Sequence, residues 1–282
     1  MKRRTKSFRS PHQGRGLTAW RRLPRSRSRR GSRHLFDRWA EIEGRLTSAR
    51  RVTLFLDFDG TLAPLRDRPE DVWLDSGVRD ILARLARNPH VDVCLISGRT
   101  LTDLRKRAKV RGVIFMGLHG NQRRGTGKKH TVPPALVRAK AAAFRRLDAM
   151  AGIRVEDKGL SFAVHYRGAT AGTVKNARAA MDDLLRPFDG KLRVLNGKRV
   201  WEVLPVGIGT KGAAARALLA DLGISSLPVY VGDDTTDETA FQALREGITV
   251  RVGPARRTQA AYRLRDPHEV REFLEKLEEG IH

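Results

Sequence analysis

Short apolar segments alternate with amphipathic segments of helical period through most of the chain. Residues 52–57 form a nearly continuous apolar run, which is typical of a strand buried on both faces of a parallel sheet. After a polar loop, Ser76 can cap a helix whose apolar side chains recur at three- and four-residue intervals until Pro89. This alternation predicts a parallel sheet with helices on both of its faces.

The predicted elements of this α/β core fall into two groups. The first group comprises, in order, helix 35–46, strand 52–57, a helix from residue 76, strand 91–97, helix 101–108 and strand 113–116. The second comprises helix 210–222, strand 229–231, helix 237–245, strand 249–252 and helix 267–278. We therefore predict a Rossmann-like core built from residues 35–124 and 206–282.

Residues 125–205, between the two groups, follow a different order, in which one helix precedes two strands and the unit occurs twice. The predicted elements are helix 135–150, strands 153–156 and 160–166, helix 171–185, and strands 192–195 and 200–204. Asn196-Gly197 in the last strand pair is a strong hairpin signal. The sequence predicts a small α+β lobe, αββ repeated twice, inserted into the core.

The net charge of +25 is concentrated at the N-terminus. Residues 1–34 contain 13 Lys or Arg and no acidic residue, which leaves +12 for the other 248 residues. High charge with few apolar residues predicts a disordered tail over 1–34. It is an inert extension or overlong start, an organelle transit peptide, or a weak polyanion-binding arm. We favour the inert extension, because blocks of like charge are commonly tails.

Composition excludes several classes of protein. A hydrophobic content of 40% with 26 glycines excludes disorder of the whole chain. No stretch approaches the roughly 18 consecutive apolar residues of a membrane-spanning helix, so an integral membrane protein is not expected. The single cysteine, Cys94, permits neither an intrachain disulfide nor a cysteine-built metal site, which favours a reducing, cytoplasmic location.

Asp57 and Asp59 stand where the first core strand ends. Two residues apart on an extended chain, their side chains share a face, and ligands of open α/β sheets bind beyond the carboxyl ends of strands. Gly60 then allows a sharp turn. The alternative is that Asp-Gly is only a turn, which the motif by itself does not exclude.

A second acidic cluster, residues 232–238, follows the strand 229–231. So many carboxylates repel one another unless a cation neutralises them, and oxygen ligands suit Mg²⁺. For Asp233 and Asp234 we favour metal binding. For Glu238, and partly for Asp237, we favour the alternative that they are acids complementing a helix N-terminus.

Two further features lie at a strand end and a helix start. Lys211 opens a helix, where a cation opposes the helix dipole, so a bound phosphate would explain it. The alternative is an exposed lysine. Ser97 and Arg99 follow the second core strand, where a hydroxyl and nearby N–H groups could hold phosphoryl oxygens. Ser97 could also be an ordinary cap of the next helix.

The order acid pair, hydroxyl, lysine, acid cluster resembles the haloacid dehalogenase superfamily of phosphoryl-transfer enzymes over residues 50–280, and the lobe resembles its cap domain. Within it, Gly-Asp-Asp-x-Thr-Asp-Glu, the segments 156–158 and 165–167, and the spacing from Lys198 to Glu202 resemble the trehalose-6-phosphate phosphatase family. The resemblance implies a Mg²⁺-dependent phosphoric monoester hydrolase of trehalose biosynthesis.

The resemblance also implies roles for the core residues. Asp57 would be the nucleophile that forms an aspartyl-phosphate, and Asp59 the general acid and base, with a pKa raised by neighbouring carboxylates. Ser97 and Lys211 would hold the phosphoryl group, with Arg99 among the substrate-binding residues. Mg²⁺ would be held by the Asp57 carboxylate, the Asp59 backbone carbonyl and Asp233, with Asp234 as a further or outer ligand.

On the sugar side, the resemblance implies Lys198 and Glu202 of the lobe and His119 with Gly120 of the core. Lys198 could instead be an exposed hairpin tip and Glu202 a strand-face acid. For His165 we favour a place in the lobe core. Where relatives often have Glu two residues after the His-Gly pair, this chain has Gln122, which keeps hydrogen bonding but loses charge.

Two alternatives to trehalose 6-phosphate as substrate remain open, namely sucrose 6-phosphate and mannosyl-3-phosphoglycerate. A function of another class, nucleic-acid binding by the basic tail, is disfavoured because no aromatic-studded basic surface or recognition helix accompanies it. No region of glycosyltransferase size precedes the phosphatase motifs, so we expect a separate trehalose-phosphate synthase to supply the small-molecule substrate.

Overall fold

A computed structural model describes residues 32–123, 131–197, 199–223, 225–254 and 257–281. Most of the predicted basic tail lies outside these ranges, as does Lys198, one of the two residues expected to bind sugar from the lobe. None of the helices described has the length and apolar character needed to cross a membrane.

Strands and helices alternate along the described chain. The strands are β1 (Arg33–His34), β2 (Val52–Leu56), β3 (Val91–Ile96), β4 (Ile114–Gly117), β5 (Gln122–Arg123), β6 (Arg154–Asp157), β7 (Phe162–His165), β8 (Leu192–Gly197), β9 (Val200–Pro205), β10 (Leu227–Gly232), β11 (Ile248–Val252) and β12 (Tyr262–Leu264). The α-helices are α1 (Trp39–Thr47), α2 (Ser76–Leu85), α3 (Leu101–Ala108), α4 (Pro134–Arg146), α5 (Ala171–Leu185), α6 (Lys211–Leu222), α7 (Glu238–Ala243) and α8 (Pro267–Gly280). Short 3-10 helices lie at Phe36–Arg38, Pro69–Asp71, Leu118–Gly120, Arg186–Phe188 and Thr235–Asp237.

The main sheet has the strand order β1-β12-β11-β10-β2-β3-β4-β5. Its neighbouring strands are parallel except for β4 and β5. The predicted α/β class with a parallel sheet is confirmed. β1 was not predicted: Arg33 and His34, placed in the tail from sequence, pair with Tyr262 and Arg263 of β12 and so belong to the sheet.

The inserted lobe is a separate antiparallel sheet with the order β6-β7-β9-β8. Its apolar side chains, among them Phe162, Trp201 and Val203, pack against α4 and α5 and form their own cluster. The lobe therefore has a core distinct from that of the main sheet. Its predicted start at residue 125 falls outside the described residues.

Alternate residues of β2 face opposite sides of the main sheet. Leu54 and Leu56 pack into a cluster with residues of α1, α2 and α8, whereas Phe55 packs into a second cluster with residues of α6 and α7. Every residue of β2 is buried. Packing on both faces fixes the strand up to the point where Asp57 begins.

The cap of α2 differs from the prediction. Asp75, one residue before Ser76, accepts hydrogen bonds from the backbone N–H groups of Gly77 at 2.8 Å and Val78 at 3.3 Å. A carboxylate at this position satisfies two of the free donors of the first turn, so Ser76 is the first helical residue and not the cap.

Candidate active site

The loops that follow β2 and β10 lie side by side at one edge of the main sheet. The two strands are neighbours, with Leu56 opposite Val231, and the N–H of Asp57 donates to the Val231 carbonyl at 3.0 Å. The carboxyl ends of parallel strands share an edge, so the first and second acidic motifs come together there. Asp57 and Asp233 consequently lie within one buried cluster of carboxylates.

Lys211 reaches this cluster from the first turn of α6. Its Nζ atom lies 2.6 Å from Oδ1 of Asp57, and both side chains are buried. Burial raises the pKa of Asp57 well above its ordinary value, and the Lys211 ammonium opposes this effect. The neighbouring Asp237 and Asp233 carboxylates raise the Asp57 pKa further. The alternative of an exposed Lys211 is wrong.

Asp237 is the main partner of Lys211 that sequence analysis missed. Its fully buried carboxylate accepts hydrogen bonds from Lys211 Nζ at 2.8 Å, the Tyr230 hydroxyl at 2.7 Å and the N–H of Asp234 at 2.9 Å. Burial alone lowers the pKa of Lys211, but Asp237 and then Asp57 raise it above its ordinary value. Asp237 thus keeps a buried ammonium charged, a role beyond that of a helix N-terminal acid.

Three buried carboxylates could hold a cation. Ligand atoms of Asp57, Asp233 and Asp237 all lie within 4.8 Å of one another. Gly60 makes room for them: its φ is +83°, and a Cβ atom there would come within 2.2 Å of Asp233 Oδ2. The glycine after the acid pair is therefore needed both for the turn and for the close approach of Asp233.

Asp234 is not one of the three carboxylates of the buried cluster. Its carboxylate accepts from the N–H of Thr235 at 2.7 Å and caps the short helix that follows. It also faces the lobe, because a Cβ atom added to Gly197 of the hairpin would come within 3.0 Å of Asp234 Oδ2. The structure therefore places Asp237, and not Asp234, in the carboxylate cluster.

Asp59 is held by Arg99. The guanidinium Nε and Nη2 atoms donate to the two carboxylate oxygens at 2.7 and 2.6 Å, a bidentate pair. Arg99 also donates to Asp103 at 2.6 Å and to the Pro69 carbonyl at 2.7 Å. The predicted crowding of Asp59 by other carboxylates is replaced by an ion pair, and the predicted substrate ligand Arg99 contacts protein groups.

Ser97 is buried at the end of β3, and its hydroxyl oxygen accepts the N–H of Arg99 at 3.1 Å. The cap of α3 is Thr100, whose side chain accepts the N–H of Asp103 at 3.3 Å. The alternative of Ser97 as the helix cap is therefore wrong. As an acceptor from Arg99, the Ser97 hydroxyl keeps its own hydrogen to donate.

His119 joins the core to the lobe. Its φ of +57° and that of Leu118, +46°, are left-handed values that non-glycine residues rarely adopt. His119 Nε2 lies 2.9 Å from Oε2 of Glu202 in β9, and both residues are buried. A strained backbone thus persists where the core meets the lobe, as is common at functional sites.

Both carboxylate oxygens of Glu202 are engaged. Ser161 donates its hydroxyl to Oε1 at 2.7 Å, and Lys158 Nζ lies 3.6 Å from Oε2. Burial raises the pKa of Glu202, but Lys158 and His119 lower it to well below its ordinary value. Glu202 is therefore a buried, charged residue where the core meets the lobe. Its partners His119, Ser161 and Lys158 distinguish it from an ordinary acid on a strand face.

Two other sequence interpretations change. His165 lines the cavity described below, and its Nε2 lies 2.8 Å from Glu156 Oε2, so its expected place in the lobe core is wrong. Gln122 Oε1 accepts the N–H of Leu101 at 2.8 Å, at the start of α3. The departure from relatives at Gln122 therefore concerns a helix terminus.

A cavity of about 510 Å³ lies between these core loops and the lobe, within the usual size of small-molecule sites. The predicted site residues that line it are Asp57, Asp59, Ser97, Arg99, His119, Glu202, Lys211, Asp233 and Asp234. Gly120 does not line it: with φ +95°, a Cβ there would come within 2.1 Å of Ala214 Cβ, so this glycine permits packing on α6.

Known proteins resemble this chain in sequence and in fold. A family model described as trehalose-phosphatase matches residues 55–268. The chain belongs to the trehalose-phosphatase family. The match begins within β2 and ends in α8, so it includes both acidic loops and the lobe of this trehalose-phosphatase family member.

Relatives of this family member include a trehalose 6-phosphate phosphatase of Zea mays, 31% identical over 268 residues that cover 84% of this chain and 73% of that protein. An uncharacterized glycosyl hydrolase of Mycobacterium tuberculosis is 38% identical over 251 residues, 83% of this chain but only 19% of that protein. The C-terminal domain of a Candida albicans trehalose-6-phosphate phosphatase has the same fold, with a TM-score of 0.77 at 22% identity over 89% of this chain and 99% of that one.

Proposed function

We propose that this family member is a Mg²⁺-dependent phosphatase that hydrolyses trehalose 6-phosphate to trehalose and phosphate. The observation that carries the proposal is the buried pair of Asp57 and Lys211 at the cavity. A carboxylate nucleophile needs a fixed position and a positive charge beside the incoming phosphoryl group, and this pair supplies both. The relative from Zea mays, named for this reaction, supports the choice of substrate.

In the first step a carboxylate oxygen of Asp57 attacks the phosphorus, and the bond from phosphorus to the sugar oxygen breaks. Asp59 gives a proton to that oxygen, so trehalose leaves as the neutral alcohol. Lys211 and the Ser97 hydroxyl, both lining the cavity, hold phosphoryl oxygens and stabilise the charge that spreads over them.

In the second step water attacks the phosphorus of the aspartyl-phosphate and loses a proton to Asp59. The bond from phosphorus to Asp57 breaks, which restores the Asp57 carboxylate and releases inorganic phosphate. The bidentate pair with Arg99 fixes both oxygens of the Asp59 carboxylate, so the group is positioned to take the proton of the attacking water. The proton that Asp59 gains from water in this step restores the acid for the next turnover.

The buried carboxylates fit Mg²⁺, which prefers oxygen ligands. Asp237 already accepts three hydrogen bonds, so we assign the ligands as Asp57 and Asp233 with the backbone carbonyl of Asp59. Asp234 keeps at most an outer role. When bound, Mg²⁺ would neutralise these carboxylates and polarise the phosphoryl group.

For the sugar, we propose that Lys198 contacts hydroxyl groups and that Glu202 and His119 shape the site through their own pair. Gly120 packs closely against α6 and so fixes the chain next to His119 on the core side. The substrate must come from a glycosyl transfer onto a sugar phosphate, and we assign that reaction to a separate trehalose-phosphate synthase. The single cysteine supports a reducing, cytoplasmic location.

The test is phosphate release from a panel of sugar phosphates, with Mg²⁺ and with excess chelator. We expect release from trehalose 6-phosphate to exceed release from sucrose 6-phosphate and mannosyl-3-phosphoglycerate, and to stop when Mg²⁺ is removed. A preference for another member of the panel would refute the substrate. Undiminished release in chelator would refute the metal requirement.

A further inference from the structure

Arg99, Asp103 and Arg107 lie at four-residue intervals at the start of α3 and along it. Asp103 accepts from Arg99 Nη1 through Oδ2 at 2.6 Å and from Arg107 Nε through Oδ1 at 2.7 Å. Both arginine side chains are only 9% exposed. Each oxygen of the Asp103 carboxylate therefore accepts a hydrogen bond from a different buried guanidinium group.

Arg99 is fixed from three sides. Besides its bond to Asp103, it donates to both oxygens of Asp59 and to the Pro69 carbonyl. Because a guanidinium is planar, fixing Nη1 and Nη2 sets the direction of its remaining donors. The plane of the Asp59 carboxylate then follows from the plane of Arg99.

Arg107 extends the same network to residues 70–72, which contact the lobe through Glu70. It donates to the carbonyl groups of Glu70 and Val72, and the Glu70 carboxylate meets Arg154 of β6 at 3.1 Å. Asp103 thus connects the contacts of Arg107 with the pair of Arg99 and Asp59. Its charge offsets two buried cations that would otherwise repel each other across a short distance.

We propose that Asp103 is a positioning residue for Asp59, which it orients through Arg99 without touching the substrate. The proposal rests on the acid-base role of Asp59 in the proposed function. Without the Asp103 charge, the Arg99 guanidinium keeps, among the described residues, only the Pro69 carbonyl and Asp59 itself as hydrogen-bond partners. The guanidinium can then turn together with the Asp59 carboxylate, and Asp59 no longer presents an oxygen to the leaving group in a fixed direction. Proton transfer to the leaving group suffers more than phosphoryl binding, which depends on Lys211 and Ser97.

The test is Asp103→Asn, which puts an NH2 donor in place of one of the two oxygens that accept from Arg99 and Arg107. With trehalose 6-phosphate we expect kcat to fall at least about tenfold while KM stays within about threefold, since misplacement of a catalytic group slows the proton step. With an aryl phosphate whose leaving group needs no proton, the rate of aryl alcohol release in the first turnover should fall less than about threefold, because Asp59 acts as a base only in the second step.

Three variants complete the experiment. Asp103→Glu keeps the charge and should recover part of kcat with trehalose 6-phosphate. Glu275→Gln removes the charge from a similar four-residue Arg-carboxylate pair on α8 that does not line the cavity, and it should match the wild type on both substrates. Asp59→Asn should show the same dependence on the leaving group, but more severely.

The outcomes separate the two claims. If both Asp103 variants lose the two activities equally, or if Asp103→Asn loses neither, the positioning role is overturned while the phosphatase assignment stands. If Asp59→Asn itself lacks any dependence on the leaving group, the acid-base role and the positioning role fall together. Failure of the wild type on trehalose 6-phosphate refutes that substrate, and the same comparison is then made with the sugar phosphate that it does hydrolyse.

Discussion

The Nζ atom of Lys211 lies 2.6 Å from Oδ1 of Asp57, although 154 residues separate them in the chain. The inserted lobe lies within that interval, so the pair joins the core segment before the lobe to the one after it. Both side chains are buried, and the raised pKa of Lys211 keeps the ammonium charged. The site thus holds a fixed cation beside the carboxylate that we assign as nucleophile.

Lys211→Ala should abolish phosphate release from trehalose 6-phosphate and from an aryl phosphate alike, because charge on the transferred group is common to both. It also leaves Asp57 and Asp237 without their cation, so we expect a loss of about 3 kcal/mol or more in the free energy of unfolding. Lys106→Ala, an exposed lysine of α3, is the matched control for both measurements. Retained aryl phosphatase activity in a folded Lys211→Ala protein would exclude a phosphoryl-binding role.

Asp233→Asn and Asp234→Asn should differ sharply in Mg²⁺ activation. Asp233 belongs to the buried carboxylate cluster, whereas Asp234 caps a short helix. The Mg²⁺ concentration for half-maximal activity should rise in Asp233→Asn by more than the roughly 10- to 100-fold typical of an outer partner. In Asp234→Asn the rise in this Mg²⁺ concentration should stay below that range. Equal effects of the two substitutions would mean that Asp234 also holds the metal.

His119→Ala and Glu202→Gln should form a coupled pair in kcat/KM for trehalose 6-phosphate. Their buried hydrogen bond predicts a coupling free energy of about 1 to 3 kcal/mol in a double-mutant cycle. The double variant should then lose little more than either single variant. Additive losses would mean that Glu202 contacts the sugar independently of His119.

Glu269→Gln should make stability less dependent on pH in the acid range. Burial raises the pKa of Glu269, but the Arg265 N–H, the Arg265 side chain and His34 lower it below its ordinary value of 4.5. A lowered pKa in the folded state stabilises the protein above that value, and this stabilisation is lost as the pH falls below it. Urea unfolding of both proteins from neutral pH to below 4.5 should show their difference shrinking. Glu279→Gln, at an exposed position of the same helix, is the matched control.

The elements with clear local signals were predictable from sequence. Helices 101–108 and 171–185 have the predicted bounds, because Thr100 and Thr170 cap them and their apolar faces are periodic. The nearly continuous apolar run of β2 identified a central buried strand and, with it, the place of Asp57.

Long-range contacts account for what the sequence did not reveal. β1 and β12 have two and three residues, too few for any period, and they exist because each pairs with a distant segment. Asp237 differs from an ordinary helix N-terminal acid only through Lys211, 26 residues away, and Tyr230. The four-residue spacing of Arg99, Asp103 and Arg107 was a local signal, but its link to Asp59 crosses 40 residues.

The most direct test of the account is to find the phosphoryl group on the enzyme. Wild-type protein would be mixed with trehalose 6-phosphate and Mg²⁺, quenched in acid during turnover, digested and examined by mass spectrometry. We predict a phosphoryl group on Asp57, and none on the same peptide from Asp57→Asn, which should also release no phosphate while keeping its fold. Turnover with Asp57 unmodified, or near-normal turnover by Asp57→Asn, would contradict the covalent mechanism.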